Sequence, residues 1–135
     1  MISFAVIGAG RIGRLHARNL AGTIEGARLV TVMDANPEAA EAAAFAGARA
    51  TTDSEQIWSD PEVDAVLIAS PTSLHAEQVA AAARAGKAIF CEKPVALDLE
   101  ETIRAMRLVE EAGVPFQIGF NRRFDPGYAA VAREV

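Results

Sequence analysis

Cysteine is almost absent from this sequence, because Cys91 is the only one in 135 residues. A lone cysteine excludes an internal disulfide and fits a reducing compartment. It also leaves the chain without the thiolate sets of common structural zinc sites, so we expect no bound metal.

Positive charge and long apolar runs are also scarce. Lysine and arginine total 13 against 18 acidic residues, which gives a net charge of −5, and this balance argues against nucleic acid or an anionic membrane as a main partner. The N-terminal apolar run lacks a basic leader and is too short for a signal peptide or a membrane span. We therefore expect a cytoplasmic protein.

Repeats, linkers and low-complexity tails are missing as well. A chain of 135 residues with 51% hydrophobic residues can bury about two-thirds of its unfolded surface. The sequence therefore predicts a single domain with a proper core.

What the sequence does contain is an alternation of apolar runs and helical patterns. The runs predict strands at residues 3–7, 27–33, 65–69, 88–91 and 116–119, with a weaker one at 48–51. Left-handed helix ends are expected at Gly22, Gly47, Gly86 and Gly113. Helix starts are expected at Asn36-Pro37, at Asp53 with Gln56, at Thr72 or Ser73, and at Asp98 with Glu101. Because the strands alternate with helices and are apolar on both faces, we predict an α/β fold with a doubly wound parallel sheet.

Three glycines lie between the first predicted strand and the first predicted helix. Gly8 suits a tight turn, Gly10 lets the main chain approach a pyrophosphate, and Gly13 lets the helix lie close to the strand. The amides that begin the helix, around Arg11 and Ile12, then face the phosphates. This arrangement predicts a dinucleotide site of Rossmann type.

Asp34 ends the second strand, about twenty residues after the last glycine, where this fingerprint places a carboxylate on the adenosine ribose. The alternative is a turn or N-cap aspartate beside Asn36-Pro37. Neither Ala35 nor Asn36 is basic, so no neighbouring cation favours the 2′-phosphate of NADP. We therefore predict NAD as the cofactor.

Two further loops follow strands at the edge where a doubly wound sheet binds its ligand. After the fourth strand, the backbone of Ser70, Pro71 and Thr72 is expected to line the cofactor crevice. His75 has two interpretations, an exposed residue in the first helical turn or a contact to the cofactor. After the fifth strand comes Lys93, which is placed to hydrogen-bond a reacting hydroxyl and to stabilise the charge that develops there. A solvated Glu92–Lys93 pair is the alternative.

The last segment is unusual. Asn121, Arg122 and Arg123 suggest contacts with an anion or a polyol, while a salt-bridged surface turn capped by Asp125 is the alternative. An apolar stripe follows on one helix face. Its members are Phe124, Tyr128, Val131 and Val135. The stripe either packs on the chain's own sheet or meets a domain that the chain lacks.

These clusters, in this order, resemble the Gfo/Idh/MocA family of oxidoreductases. The glutamate-lysine-proline segment at residues 92–94 is the most specific part of the resemblance, and residues 119–125 look most like the inositol 2-dehydrogenase branch. The resemblance covers the whole chain. It implies NAD-linked oxidation of a polyol or sugar hydroxyl, with Lys93 as the catalytic lysine and Glu92 near the nicotinamide ribose. Asn121 and Arg122 join the cofactor-binding candidates on the same basis.

The resemblance also implies that two segments of the chain have different roles. Residues 1–120 would form the dinucleotide-binding domain, and residues 121–135 would begin the connection to a C-terminal substrate domain. In such family members that second domain supplies an aspartate and the histidine base. Neither His16 nor His75 stands in the matching place, so we expect this chain to bind NAD(H) without turnover.

Other functions remain open from the sequence alone. The chain is either the cofactor half of a polyol dehydrogenase, a free-standing NAD-binding module, or an interaction protein that uses the apolar stripe. An uncovered stripe of this kind favours self-association.

Overall fold

The computed structural model describes residues 1–134, and its centre is one sheet of six parallel strands. The strands are β1 (Ile2–Ile7), β2 (Ala27–Met33), β3 (Arg49–Thr51), β4 (Ala65–Ile68), β5 (Ala88–Glu92) and β6 (Phe116–Gly119). Their spatial order is β3-β2-β1-β4-β5-β6. The chain thus runs outward from β1 to β3, returns to β4 beside β1, and continues to β6. This is the doubly wound Rossmann-type sheet that the sequence predicts.

Within residues 1–134, six α-helices connect or follow the strands. They are α1 (Arg11–Gly22), α2 (Pro37–Ala43), α3 (Glu55–Trp58), α4 (Thr72–Arg84), α5 (Leu99–Ala112) and α6 (Pro126–Glu134), with short 3-10 helices at Phe45–Gly47 and Asn121–Phe124. None of these helices has the length and apolar content needed to cross a bilayer.

The core lies on both faces of the sheet, because alternate strand residues point to opposite sides. Val6 packs with Ala17 and Leu20 of α1 on one face. Its neighbour Ile7 packs on the other face with Val79 of α4 and with α5. Both strand residues are fully buried, which explains why β1 and β4 are largely apolar and do not alternate regularly with polar residues.

Three of the four expected glycine turns are confirmed. Gly86 and Gly113 end α4 and α5 with φ of 70° and 65°, and Gly47 ends the first 3-10 helix with φ of 81°. The expectation for Gly22 is wrong, because it is the last residue of α1 and its successor Thr23 caps the helix in a right-handed conformation. The left-handed turn before β2 is made by Gly26 instead, with φ of 79°.

Two helix starts form as their capping residues predict. The side chain of Asn36 accepts a hydrogen bond from the amide of Glu38 at 3.0 Å, and Pro37 is the first helical residue. Asp98 accepts a hydrogen bond from the amide of Glu101, also at 3.0 Å. These local caps fix where α2 and α5 begin.

The other two starts differ in detail from the expected caps. Asp53 does accept a hydrogen bond from the amide of Glu55, but Gln56 pairs with the hydroxyl of Thr51 and does not close a capping box. The resulting helix α3 has only four residues. Thr72 is the first residue of α4, and no side chain caps that helix.

The apolar stripe does not pack on the sheet, so that interpretation of it is wrong. Phe124, Tyr128 and Val131 are 74%, 50% and 64% exposed, and Val135 lies outside the described residues. Asp125 begins α6 by accepting hydrogen bonds from the amides of Gly127 and Tyr128. The apolar side chains of the stripe that the structure describes therefore lie largely in solvent.

Candidate cofactor site

The candidate residues gather at one edge of the sheet, because every one of them follows a strand and all six strands are parallel. The glycine turn follows β1, Asp34 follows β2, the Ser70 loop follows β4, and Glu92 ends β5. The strand order reverses between β1 and β4, and such a switch point opens a crevice at the carboxyl ends of the strands.

Gly8 and Gly13 are required by the fold itself. Gly8 has φ of 95°, and a Cβ there would lie 2.5 Å from the amide nitrogen of Ser70. A Cβ on Gly13 would lie 1.7 Å from the carbonyl oxygen of Gly8. Any larger residue at either position would push α1 or the loop after β4 away from the turn.

Gly10 is different, because nothing in the chain lies within 4 Å of where its Cβ would stand. It is the N-cap of α1, is exposed, and has no side chain that could accept a hydrogen bond from the first helical turn. Helix-starting amides without a cap bind anions. The uncapped start of α1 is therefore open to a group outside the chain, as the predicted pyrophosphate site requires.

Asp34 reaches across to the same turn. One carboxylate oxygen accepts a hydrogen bond from the amide of Ala9 at 2.7 Å, and the other accepts one from the amide of Asn36 at 2.9 Å. The N-cap of α2 is Asn36 itself, so the N-cap alternative for Asp34 is wrong. A carboxylate has about four acceptor positions, so Asp34 keeps capacity for ribose hydroxyls beside the glycine turn.

A cleft of about 650 Å³ opens beside the turn and is lined by the first two turns of α1. Its lining includes the predicted residues Arg11 and Ile12 and two further arginines, Arg14 and Arg18. Arg18 also lies over the ring of Phe45, 5.4 Å from its centroid. Arg14 and Arg18 were not sequence candidates, although their spacing of three and four residues places them on the face of Arg11. The cleft is therefore strongly basic in a protein of net negative charge.

Both interpretations of His75 require correction. It is only 2% exposed, so it is no surface residue. Its Nδ1 lies 2.7 Å from the carbonyl oxygen of Pro94 and its Nε2 lies 2.8 Å from that of Ser70. Both ring nitrogens are occupied by the main chain, which leaves none for a cofactor.

Glu92 does not pair with Lys93. Its Oε1 lies 2.9 Å from Nε2 of His16 on α1, while Lys93 is exposed and forms no ion pair within residues 1–134. A Cβ on Gly119 would lie 3.2 Å from the Glu92 carboxylate, so this glycine makes room for it. His16 was not a sequence candidate. The two residues are 76 positions apart in the sequence, so no local signal links them, and only the sheet topology brings them together.

Cys91 lies directly before this pair and is fully buried. Burial, and to a lesser extent the charge of Glu92, raises the pKa of its thiol to about 12. The thiol therefore stays protonated at neutral pH and is no nucleophile or metal ligand.

Asn121 and Arg122 are exposed in the 3-10 helix that follows β6. The guanidinium of Arg122 lies 4.7 Å from the ring centroid of Tyr128, a cation–π contact. Their assignment to the cofactor stays a prediction.

Comparison with known proteins agrees with this geometry. The model of an oxidoreductase family with an NAD-binding Rossmann fold, Gfo/Idh/MocA, matches residues 2–120. Inositol 2-dehydrogenase of Rhizobium meliloti is 44% identical over 134 residues, which are 99% of this chain and 40% of that protein. The NAD(+)-dependent scyllo-inositol 2-dehydrogenase of Bacillus subtilis is also 44% identical, over 97% of this chain and 39% of its own length.

Solved structures give the same result. The crystal structure of scyllo-inositol dehydrogenase from Lactobacillus casei with bound NAD(H) and scyllo-inositol has a TM-score of 0.91 and 32% sequence identity. The match covers 98% of this chain and 40% of that one. The chain thus spans about two-fifths of the length of the relatives it matches. Together with the glycine turn and Asp34, these matches show that the chain belongs to the Gfo/Idh/MocA oxidoreductase family and is its NAD-binding Rossmann domain.

Proposed function

We propose that this chain is the cofactor-binding part of a dehydrogenase that oxidises a polyol or sugar hydroxyl, inositol-like in structure. Residues 1–120 form the cofactor domain in this proposal, and residues 121–135 begin the connection to a substrate domain. The observation that carries it is the uncapped start of α1 at Gly10, beside which Asp34 accepts a hydrogen bond from the amide of Ala9. The inositol dehydrogenases among the relatives support the substrate class.

The residues around the turn have separate roles in holding NAD. The uncapped amides at Arg11 and Ile12 face the phosphates, and the basic cleft beside them attracts the same charge. Asp34 accepts hydrogen bonds from the adenosine ribose. The main chain at Ser70, Pro71 and Thr72 lines the next part of the crevice. Bound NAD supplies the hydride acceptor.

Lys93 carries the chemistry that this chain provides. Its ammonium group is exposed at the end of β5, on the same edge as the glycine turn. There it donates a hydrogen bond to the reacting hydroxyl and stabilises the negative charge that develops on that oxygen. The carboxylate of Glu92, fixed by His16, lies next to it along the chain.

Neither histidine within residues 1–134 is free to act as a general base, so we propose that the chain binds NAD(H) without turning over a polyol. Its two histidines are both engaged, His16 with Glu92 and His75 with two carbonyl groups. A hydroxyl must lose its proton as the hydride leaves, and a positioned base accounts for roughly 10²–10⁴-fold in rate. We also propose a cytoplasmic location, in keeping with the single buried thiol.

Cofactor binding is tested with two matched glycine variants of the same helix. Gly10→Ala places a methyl group in the open position, and we expect the NADH affinity to fall about tenfold or more, a loss of about 1.4 kcal/mol. Gly22→Ala also meets nothing within 4 Å and serves as the control with unchanged affinity. Titration of NADH fluorescence measures both. Equal affinities for the wild type and Gly10→Ala would contradict the pyrophosphate assignment.

Turnover is tested with myo-inositol and NAD on the same protein. We expect no NADH production above the background. Steady NADH production that is lost in Lys93→Ala would show that the chain is catalytically active by itself. It would overturn the proposal that the chain binds NAD(H) without turnover.

A further inference from the structure

His75 connects two loops that the proposed function uses separately. It lies in the first turn of α4, and its side chain is almost fully buried between the loop after β4 and the segment after β5. Nδ1 contacts the carbonyl oxygen of Pro94 at 2.7 Å, and Nε2 contacts that of Ser70 at 2.8 Å. The imidazole thus bridges the main chain of the cofactor crevice to the residue that follows Lys93.

The chemistry of these contacts restricts which groups could replace the ring. A carbonyl oxygen only accepts hydrogen bonds, so each contact is a hydrogen bond only where the ring nitrogen carries a proton. A neutral imidazole carries one N–H and donates to one of the two carbonyl groups, so an apolar side chain of similar size would leave that carbonyl group without its donor. The bridge therefore depends on donor groups at defined positions, in addition to the volume of the ring.

Lys93 lies between two anchored neighbours. Glu92 is held through its carboxylate by His16, and Pro94 is held through its carbonyl oxygen by His75. Val95, one residue further, is buried in the core. The Lys93 side chain itself is exposed, so its position is set by the anchored main chain on either side of it.

We propose that His75 is a positioning residue for Lys93 and acts through its Nδ1 contact to the carbonyl group of Pro94. This inference rests on the proposed function, in which Lys93 faces the bound cofactor and substrate. With the ring proton on Nδ1, the Nε2 contact to Ser70 is a close approach that donates no hydrogen bond.

The composition of the chain allows a direct measurement of Lys93. The sequence has only two lysines, Lys93 and Lys87, and Lys87 is 8% exposed. Acetic anhydride at low concentration, followed by peptide mass spectrometry, therefore labels Lys93 in the folded protein. Slow labelling of Lys87 reports that the protein is folded, and the exposed amino group of Met1 reports the reagent dose. With NADH at ten times its Kd, we expect labelling of Lys93 to slow about tenfold in the wild type.

Two substitutions separate the two contacts of His75. The amide nitrogen of His75→Asn takes the place of Nδ1, and that of His75→Gln takes the place of Nε2. With NADH at ten times each variant's own Kd, we expect His75→Asn to keep the protection of Lys93 and His75→Gln to keep about twofold or less. Equal protection in both variants, with Lys87 still slow, would overturn the proposal.

A measurement on the wild type does not depend on the folding of any variant. Nitrogen-15 NMR of the imidazole ring shows whether Nδ1 of His75 carries a slowly exchanging proton. An unprotonated Nδ1 would overturn the proposal, since the contact to Pro94 would then be no hydrogen bond. If NADH does not protect Lys93 in the wild type, the proposed role of Lys93 is wrong, and so is the proposed role of His75. If NADH protects Lys93 in the wild type and equally in both variants, only the proposed role of His75 is wrong.

Discussion

At the scale of single residues, Cys91 links burial to a measurable pH dependence. Its thiol has a pKa of about 12 in the folded chain against an ordinary value of 9.0. Below pH 9.0 the thiol is protonated in both states, so this contribution to stability is fully present. Above it the unfolded chain loses the proton while the folded chain keeps it, so the free energy of unfolding falls as the pH rises toward about 12. We expect a loss of about 1.4 kcal/mol for each pH unit in this range.

The matched variant for this prediction is Cys91→Ala, which removes the ionisable group from both states. Urea unfolding at a series of pH values measures the difference between the two proteins. The wild type should lose its advantage over the variant progressively above pH 9.0. Two parallel stability curves across this range would show that the thiol ionises equally in the folded and unfolded chains.

The residues of the candidate site differ in how far the sequence predicts them. The glycine turn and Asp34 could be found because their pattern is local and each position has one physical requirement. The geometry of His75 could not, since its partner Pro94 lies 19 residues away and only the pairing of β4 with β5 brings the two loops together. His16 and Glu92 meet in the same way.

At the scale of elements, the buried Lys87, directly before β5, forms hydrogen bonds to the loop that precedes β4. The ammonium group of Lys87 donates hydrogen bonds to the carbonyl oxygens of Asp60 and Val63 at 2.7 and 2.8 Å. Lys87→Met keeps the apolar stem but leaves both carbonyl groups without this donor. We expect the free energy of unfolding to fall by about 2 kcal/mol or more, since each buried acceptor left unsatisfied costs about 1–3 kcal/mol.

Arg107→Met on the exposed face of α5 is the control for Lys87→Met, because it removes the same charge. Its stability should stay within about 0.5 kcal/mol of the wild type. Equal losses in the two variants would mean that charge, and not the two buried contacts, is responsible.

Elements were predictable where one segment carries its own signal. The strands appear at the expected places because short runs rich in apolar residues mark them, and α2 and α5 begin at side chains that cap the amides of their own first turns. The prediction for Gly22 failed because a glycine at the end of a helix is compatible with a right-handed or a left-handed backbone. The left-handed turn before β2 uses Gly26 instead. The short helix α3 could not be separated from a turn, since four residues carry no helical period.

At the scale of the whole molecule, the doubly wound order follows from the alternation of strands and helices, but the partner of the last helix does not. An amphipathic pattern predicts that an apolar face is covered, without naming what covers it. Here the side chains of Phe124, Tyr128 and Val131 are at least half exposed to solvent. The amphipathic pattern at residues 124–131 is therefore present, but the packing against the chain's own sheet that it could have predicted does not occur.

This exposed stripe predicts self-association of the isolated chain. Phe124, Tyr128 and Val131 are each at least half exposed on one short segment, and contiguous apolar surface of this kind favours contact with a second copy. Sedimentation velocity should show an average mass that rises with concentration from 14.2 kDa toward twice that value. The double variant Phe124→Ser with Val131→Ser should remain monomeric. Leu97→Ser, which changes a leucine outside the stripe that is 83% exposed, should associate like the wild type. A wild-type chain that stays monomeric at high concentration would show that the stripe needs a different partner.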